Sequence, residues 1–206
     1  MLNCFVKIGA GCFKLMQPDH QVEQEAKKRQ ENAKKAKVAA DRLFPNEKWV
    51  MIEDGIYLSP NRPIGAKSNY LEELRDAQIL KSYGGTVYLV PEQNRESGRK
   101  YDAIFNGLEF EFKNVGGNAN TLMTQFLKSR SQAPNVFINL ETSNLTRHEV
   151  MRALYSARNS VTRTDPYGNV IKGYDECNTQ PAGKIILQLK GYDRLIYLNV
   201  DDLKAT

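Results

Sequence analysis

YDAIFNGLEFEFK, residues 101–113, is two β-rich runs joined by Asn106-Gly107. An Asn-Gly pair between apolar-rich runs is the strongest short signal for a two-residue type I′ hairpin, because both turn positions need positive φ. With that turn, Phe105 faces Leu108, Ile104 faces Glu109, Ala103 faces Phe110 and Asp102 faces Glu111. Side chains alternate with period two along a strand. Ala103, Phe105, Leu108, Phe110 and Phe112 are therefore expected on one apolar face. Asp102, Glu109, Glu111 and Lys113 are expected on the other, with Ile104.

Opposed carboxylates on paired strands have Cβ atoms roughly 4.5–5.5 Å apart, and like charges so placed destabilise the sheet. A divalent cation reverses that cost. Mg²⁺ takes one or two carboxylates and completes its shell with waters and phosphate oxygens. Lys113 lies one pleat beyond Glu111 on the same face, placed to orient a nucleophilic water or to neutralise charge developing on a phosphate. For so short a pattern the alternative is a hairpin with one solvated charged face. A one-residue bulge would separate Asp102 from Glu111.

Working outward, a helix is expected from Asn69, with Asn69 as cap and Glu72 completing a capping box. Leu71, Leu74, Ala77 and Leu80 form its expected apolar face. Glu73 shares a stripe with Tyr70, Ala77 and Leu80, which points it toward the sheet, where it needs a metal or a basic partner. Gly84-Gly85 ends this helix. Short strands are expected at 49–52, 56–58, 86–90, 136–140, 184–189 and 194–198, and helices at 118–131 and 146–157. Residues 21–43 read as one long charged helix with a thin stripe of Val22, Ala26, Ala33, Val38 and Leu43, hence an arm or a loosely docked helix. The pattern predicts an α/β fold, a mixed sheet flanked by helices. An N-terminal segment and charged helical arm occupies 1–46 and a catalytic domain 47–206. The polar, Gly- and Pro-containing stretch 158–183 reads as a flexible insertion.

The order of helix with inward Glu, strand TVYLVPE, polar loop, KYDAIFNGLEFEFKNV and strand segment QAPNVFINL resembles a known family. It is similar to the C-terminal tRNase domains of contact-dependent growth-inhibition (CdiA-type) toxins, and closer still to their relatives in phage head-morphogenesis and mobile-element proteins. The resemblance spans roughly 49–157 and the final hairpin, and WVMIEDGIYLSP resembles the entry segment of the phage-associated relatives. It implies the PD-(D/E)XK nuclease fold. It also implies a catalytic set of Glu73, Asp102, Glu111 and Lys113, with Gln132 matching a recurrent Gln. Glu73, Asp102 and Glu111 would hold Mg²⁺ or Mn²⁺. Further implications are an RNA substrate, tRNA in particular, a cognate immunity protein, and a cytoplasmic site of action after delivery into a target cell or in a phage setting. The 158–183 stretch is longer than the family pattern, and residues 1–16 have no counterpart in it.

The remaining composition narrows the alternatives. The chain has 206 residues, 41% of them hydrophobic, and a formal charge of +5, which fits a polyanionic partner without requiring one. Cys4, Cys12 and Cys177 are scattered and include no CxxC, which argues against a structural zinc site or a disulfide framework. His20 and His148 lie far apart in expected helices, which argues against two-histidine RNase chemistry and a ββα-metal site. Gly65-Ala66-Lys67-Ser68 lacks the upstream glycine of a phosphate loop. No apolar run approaches the roughly 18 residues that span a membrane, and residues 1–16 do not read as a signal peptide. Two classes stay open: a Mg²⁺-dependent nuclease acting on RNA or DNA, and a non-catalytic module that binds nucleic acid or a partner protein with the same fold.

Overall fold

The computed structural model describes residues 18–65, 69–91, 101–160, 163–164, 167–171 and 183–203. The segment 1–16, the loop 92–100 and most of the expected 158–183 insertion lie outside these residues. The described elements are α1 (Pro18–Leu43), β1 (Val50–Glu53), β2 (Ile56–Leu58), α2 (Tyr70–Ser82), β3 (Val87–Leu89), β4 (Ala103–Phe105), β5 (Leu108–Asn114), α3 (Ala119–Arg130), β6 (Asn135–Leu140), α4 (Arg147–Arg158), β7 (Arg163–Thr164), β8 (Val170–Ile171), β9 (Lys184–Leu189) and β10 (Ile196–Asn199). Eight strands form one mixed sheet in the order β1-β2-β3-β4-β5-β6-β9-β10, and β7 pairs with β8 apart from it. The parallel neighbours are β2/β3, β5/β6 and β6/β9.

The central hairpin forms as its turn dictates. Asn106 and Gly107 both have positive φ, 49° and 86°, and Ala103 pairs with Phe110, Ile104 with Glu109 and Phe105 with Leu108. A side chain at 107 would also meet the backbone of Lys35 in α1, so glycine serves both the turn and the contact. Gly85 is required for a second reason: a Cβ there would overlap the Phe105 ring.

Alternation along the strands sends apolar residues to separate clusters. Ala103, Phe105, Phe110 and Phe112 pack with Phe137, Val87 and Leu89 under Ala77 and Leu80 of α2. Leu108, expected with them, is 38% exposed at the hairpin tip. On β6, Val136, Ile138 and Leu140 turn the other way, to Leu122, Phe126 and Leu127 of α3 and Val150 and Leu154 of α4. The helix α4 starts with a complete capping box between Thr146 and Glu149.

Three expectations need correction. The α1 face against the sheet is Ala36, Ala39 and Ala40, which pack on Tyr88, Val90, Tyr101 and Ile104, while Val22 and Val38 are exposed. Alanines let the helix approach the sheet closely, so its last turns are docked where the thin stripe of Val22, Ala26, Ala33, Val38 and Leu43 suggested an arm or a loosely docked helix. Leu71 is 77% exposed, because the inward stripe of α2 runs through Glu73, Asp76, Ala77 and Leu80. Asn69 makes no side-chain cap hydrogen bond, so the expected capping box with Glu72 does not form. Among the described residues no helix is long and apolar enough to cross a membrane.

Candidate active site

The polar side of the β4–β5 hairpin, the start of α2 and the α3–β6 junction enclose a cleft of about 420 Å³. Glu73, Asp102, Glu111, Lys113 and Gln132 all line it, although they come from four separate places in the chain. Asn69, Glu72, Asn114 and Gln125 complete a wall of amides and carboxylates. A second hollow of about 450 Å³ lies at the 191–194 turn. Among the described residues it is lined by the four consecutive residues 191–194 and brings no distant groups together.

Each charged group is held by its element. Beyond Ala103 the ladder breaks. The Asp102 N–H donates to the Phe110 carbonyl at 3.0 Å, and the Asp102 carboxylate accepts the Phe112 N–H at 2.8 Å through Oδ2. The carboxylate thereby takes the place of a ladder carbonyl and is fixed beside β5. Glu111 is 3% exposed. Its Oε1 accepts from Lys113 Nζ at 2.6 Å, while its Oε2 is buried without any hydrogen-bond donor. Burial first, and then the neighbouring Asp102 charge, push the Glu111 carboxyl up to about 8, against the opposing pull of Lys113. Lys113 keeps its side chain 16% exposed at the cleft side of this pair.

Glu73 points inward as its stripe requires, but its immediate partner is a guanidinium. Arg62 donates to Glu73 Oε2 through Nε at 3.0 Å and also through Nη2. The Arg62 side chain is fully buried. Its Nη1 donates to the carbonyls of Val90 and of Asp102, the latter at 3.0 Å, and Nη2 lies 3.7 Å from Asp102 Oδ1. The expected ligand trio of Glu73, Asp102 and Glu111 is thus interrupted by a basic residue. Among the described residues no group of three or more His, Cys, Asp or Glu is arranged to hold a metal ion. Asp102 and Glu111 remain a carboxylate pair with one oxygen lacking a donor. That suits a hard cation whose shell needs only one or two carboxylates besides water and phosphate oxygens.

No known family model matches the chain. No curated protein matches it. Among solved structures the fold aligns with "CdiA-CT/CdiI toxin and immunity complex from Burkholderia pseudomallei" at a TM-score of 0.47 and 22% identity, covering 69% of this chain and 98% of that chain. At that level of likeness the functional reading rests on the geometry of the site.

Two residues of the site were not singled out from the sequence. Arg62 sits in a loop, 59–65, with no periodicity to give its direction. Asp76 follows Glu73 by three residues and is fully buried. It accepts from Asn114 Nδ2 and from Asn139 Nδ2, each at 2.9 Å, and so ties α2 to the ends of β5 and β6. Burial is the main cause that pushes its carboxyl up to about 7, against the two amide hydrogen bonds. Its signal was the i,i+3 spacing from Glu73 on a stripe already known to face inward.

Proposed function

We propose that the chain is a metal-dependent nuclease of the PD-(D/E)XK kind that hydrolyses phosphodiester bonds in tRNA or another structured RNA. The observation that carries this reading is the convergence of Asp102, Glu111 and Lys113 on one cleft, with a buried carboxylate oxygen of Glu111 that no protein donor satisfies. A buried polar atom left without a partner costs free energy unless something binds it. Asp102 and Glu111 would hold Mg²⁺ or Mn²⁺, which supplies Lewis acidity toward a phosphoryl oxygen. Lys113 places its ammonium beside Glu111, where it offsets negative charge growing on the phosphate. Gln132 and Gln125 on the opposite wall offer amide donors that position the backbone of the nucleic acid. The preference for RNA, a toxin role and an inhibitor protein that covers the cleft follow from the sequence resemblance.

A second reading, a module that binds nucleic acid without cutting it, is favoured by the internal neutralisation of Glu73 by Arg62 and of Glu111 by Lys113. One experiment separates the readings: incubation with total tRNA and with plasmid DNA, in Mg²⁺ and in EDTA. The nuclease reading expects RNA to be cut only with the metal, and expects Asp102→Asn to abolish both cleavage and saturable Mn²⁺ binding. Cleavage of plasmid alone moves the substrate to DNA. Binding of either polymer without cleavage under any divalent metal leaves the non-catalytic module.

A further inference from the structure

We propose that Arg62 is a built-in cation of this cleft, which neutralises Glu73, fixes Asp102 and restricts the site to a single divalent ion held by Asp102 and Glu111. The proposal rests on the metal-dependent reading of the site and goes beyond it in assigning stoichiometry and a positioning residue.

The guanidinium is committed in several directions at once. Nε and Nη2 both reach Glu73 Oε2, and Nη1 reaches two backbone carbonyls, Val90 and Asp102. A buried guanidinium that loses its carboxylate is strongly destabilising, so Glu73 cannot exchange Arg62 for a metal at little cost. An ion seated on Glu73 would in addition sit against a positive charge in a poorly screened interior. On the cleft floor Arg62 pairs with Glu73, Lys113 pairs with Glu111 through Oε1, and Asp102 meets Arg62 only at 3.7 Å. The oxygens left for a cation lie on the Asp102–Glu111 side, where Glu111 Oε2 lacks a donor. A cation there satisfies that oxygen, whereas Glu73 is already claimed by Arg62.

The loop that presents Arg62 is built to hold it in place. Ser59 is fully buried, and its N–H donates to the Leu89 carbonyl at 3.0 Å. Its hydroxyl donates to Glu47 at 2.8 Å and accepts the Asn61 N–H at 3.0 Å. The Arg62 N–H closes a turn onto the Ser59 carbonyl at 3.1 Å. Asp102 is then gripped from two sides, by Arg62 at its carbonyl and by the Phe112 N–H at its carboxylate. Arg62 acts through Asp102 and Glu73, so it is a positioning residue.

The test is Mn²⁺ titration of the full chain by calorimetry and electron paramagnetic resonance. The parent should bind one ion per chain. Arg62→Ala should expose Glu73 and raise the count to two, and Arg62→Ala combined with Glu73→Gln should return it to one. A merely structural arginine would lower affinity or stability without adding an ion. Should Arg62→Ala fail to fold, Arg62→Met combined with Glu73→Gln, which leaves no buried charge unpaired, decides the matter. Retention of one ion, with affinity changed by less than about tenfold, supports the proposal, since every tenfold is about 1.4 kcal/mol. Loss of the ion makes Glu73 a ligand and overturns it. Two ions in the parent overturn the proposal while leaving the nuclease reading intact. No ion at all in the parent removes the metal-dependent reading, and this proposal with it.

Discussion

The two faces of the β4–β5 hairpin share the same residues of backbone and could hardly differ more. One face is Ala103, Phe105, Phe110 and Phe112, closed under α2 in a wholly apolar cluster. The other is Asp102, Glu111 and Lys113, partly covered by α1 through Ile104 and partly open to the cleft. Period-two alternation thus assigns the apolar core to one side of a strand and the charged groups of the cleft to the other. The difference teaches that neighbouring residues here should fail in different ways when altered.

The largest expected effect belongs to the apolar face. Phe110 is 1% exposed, and Phe110→Ala should cost about 3–5 kcal/mol through lost transfer energy and the cavity left behind. Urea unfolding followed by tryptophan fluorescence reads this directly, and a midpoint close to the parent's would break the contrast between the faces.

Three residues on and across the strand, Lys113→Ala should do the opposite. No core volume is lost, and the Glu111 carboxyl is already raised to about 8 with Lys113 in place, so stability should change by about 1 kcal/mol or less. Cleavage should fall about 10²–10³-fold, the usual result of removing one preorganised group at a developing charge. Single-turnover rates beside melting temperatures sharpen the comparison. Full activity in this variant on every nucleic acid the parent cuts would refute the assignment of the D…ExK set.

Next comes a pH effect confined to the polar face. The folded-state carboxyls of Glu111 and Asp76 lie at about 8 and about 7, raised from 4.5 and 3.8. The native state therefore binds more protons than the unfolded chain between those limits. In EDTA, the stability these groups contribute should be complete only below about 4, should fall steadily as pH rises from there, and should be lost above about 8. Asp76→Asn and Glu111→Gln should each flatten the slope. A cation competes with the proton on Glu111, so Mn²⁺ affinity should rise with pH and level off above about 8. A pH-independent affinity from 6 to 8, in about the range these values span, would place the ion away from Glu111.

The smallest effect tests the corrected face of α2. Leu71 is 77% exposed, and Leu71→Ala should move stability by no more than about 0.5 kcal/mol. Ala77, fully buried on the same helix, should not tolerate a larger side chain.

How much of this was legible follows from where each signal resides. The hairpin register came from two turn residues and a period of two, both local, and it holds for three of the four expected pairs, Ala103 to Phe105; the fourth, Asp102 opposite Glu111, is lost where the Asp102 N–H turns to the Phe110 carbonyl. The same alternation brought Asp102, Glu111 and Lys113 to one cleft, and a helical stripe brought Glu73 inward. The dock of α1 is not legible in the stripe Val22, Ala26, Ala33, Val38 and Leu43, because the docked face is a different one, Ala36, Ala39 and Ala40, whose small residues allow close helix–sheet approach.

The sequence by itself determined the hairpin, the order of helices and strands, and the carboxylates of the cleft, because turn chemistry and side-chain periodicity act within a few residues. Only the tertiary structure decided that Arg62 lies between Glu73 and Asp102, that Asp76 spans α2, β5 and β6, and that one oxygen of Glu111 is left without a donor. Those facts depend on which segments meet across 11 and 40 residues of separation for Arg62, and 38 and 63 for Asp76. Burial then sets the value of each charge. A loop arginine carries no periodicity, so its direction becomes defined only once the sheet and α2 have closed around it.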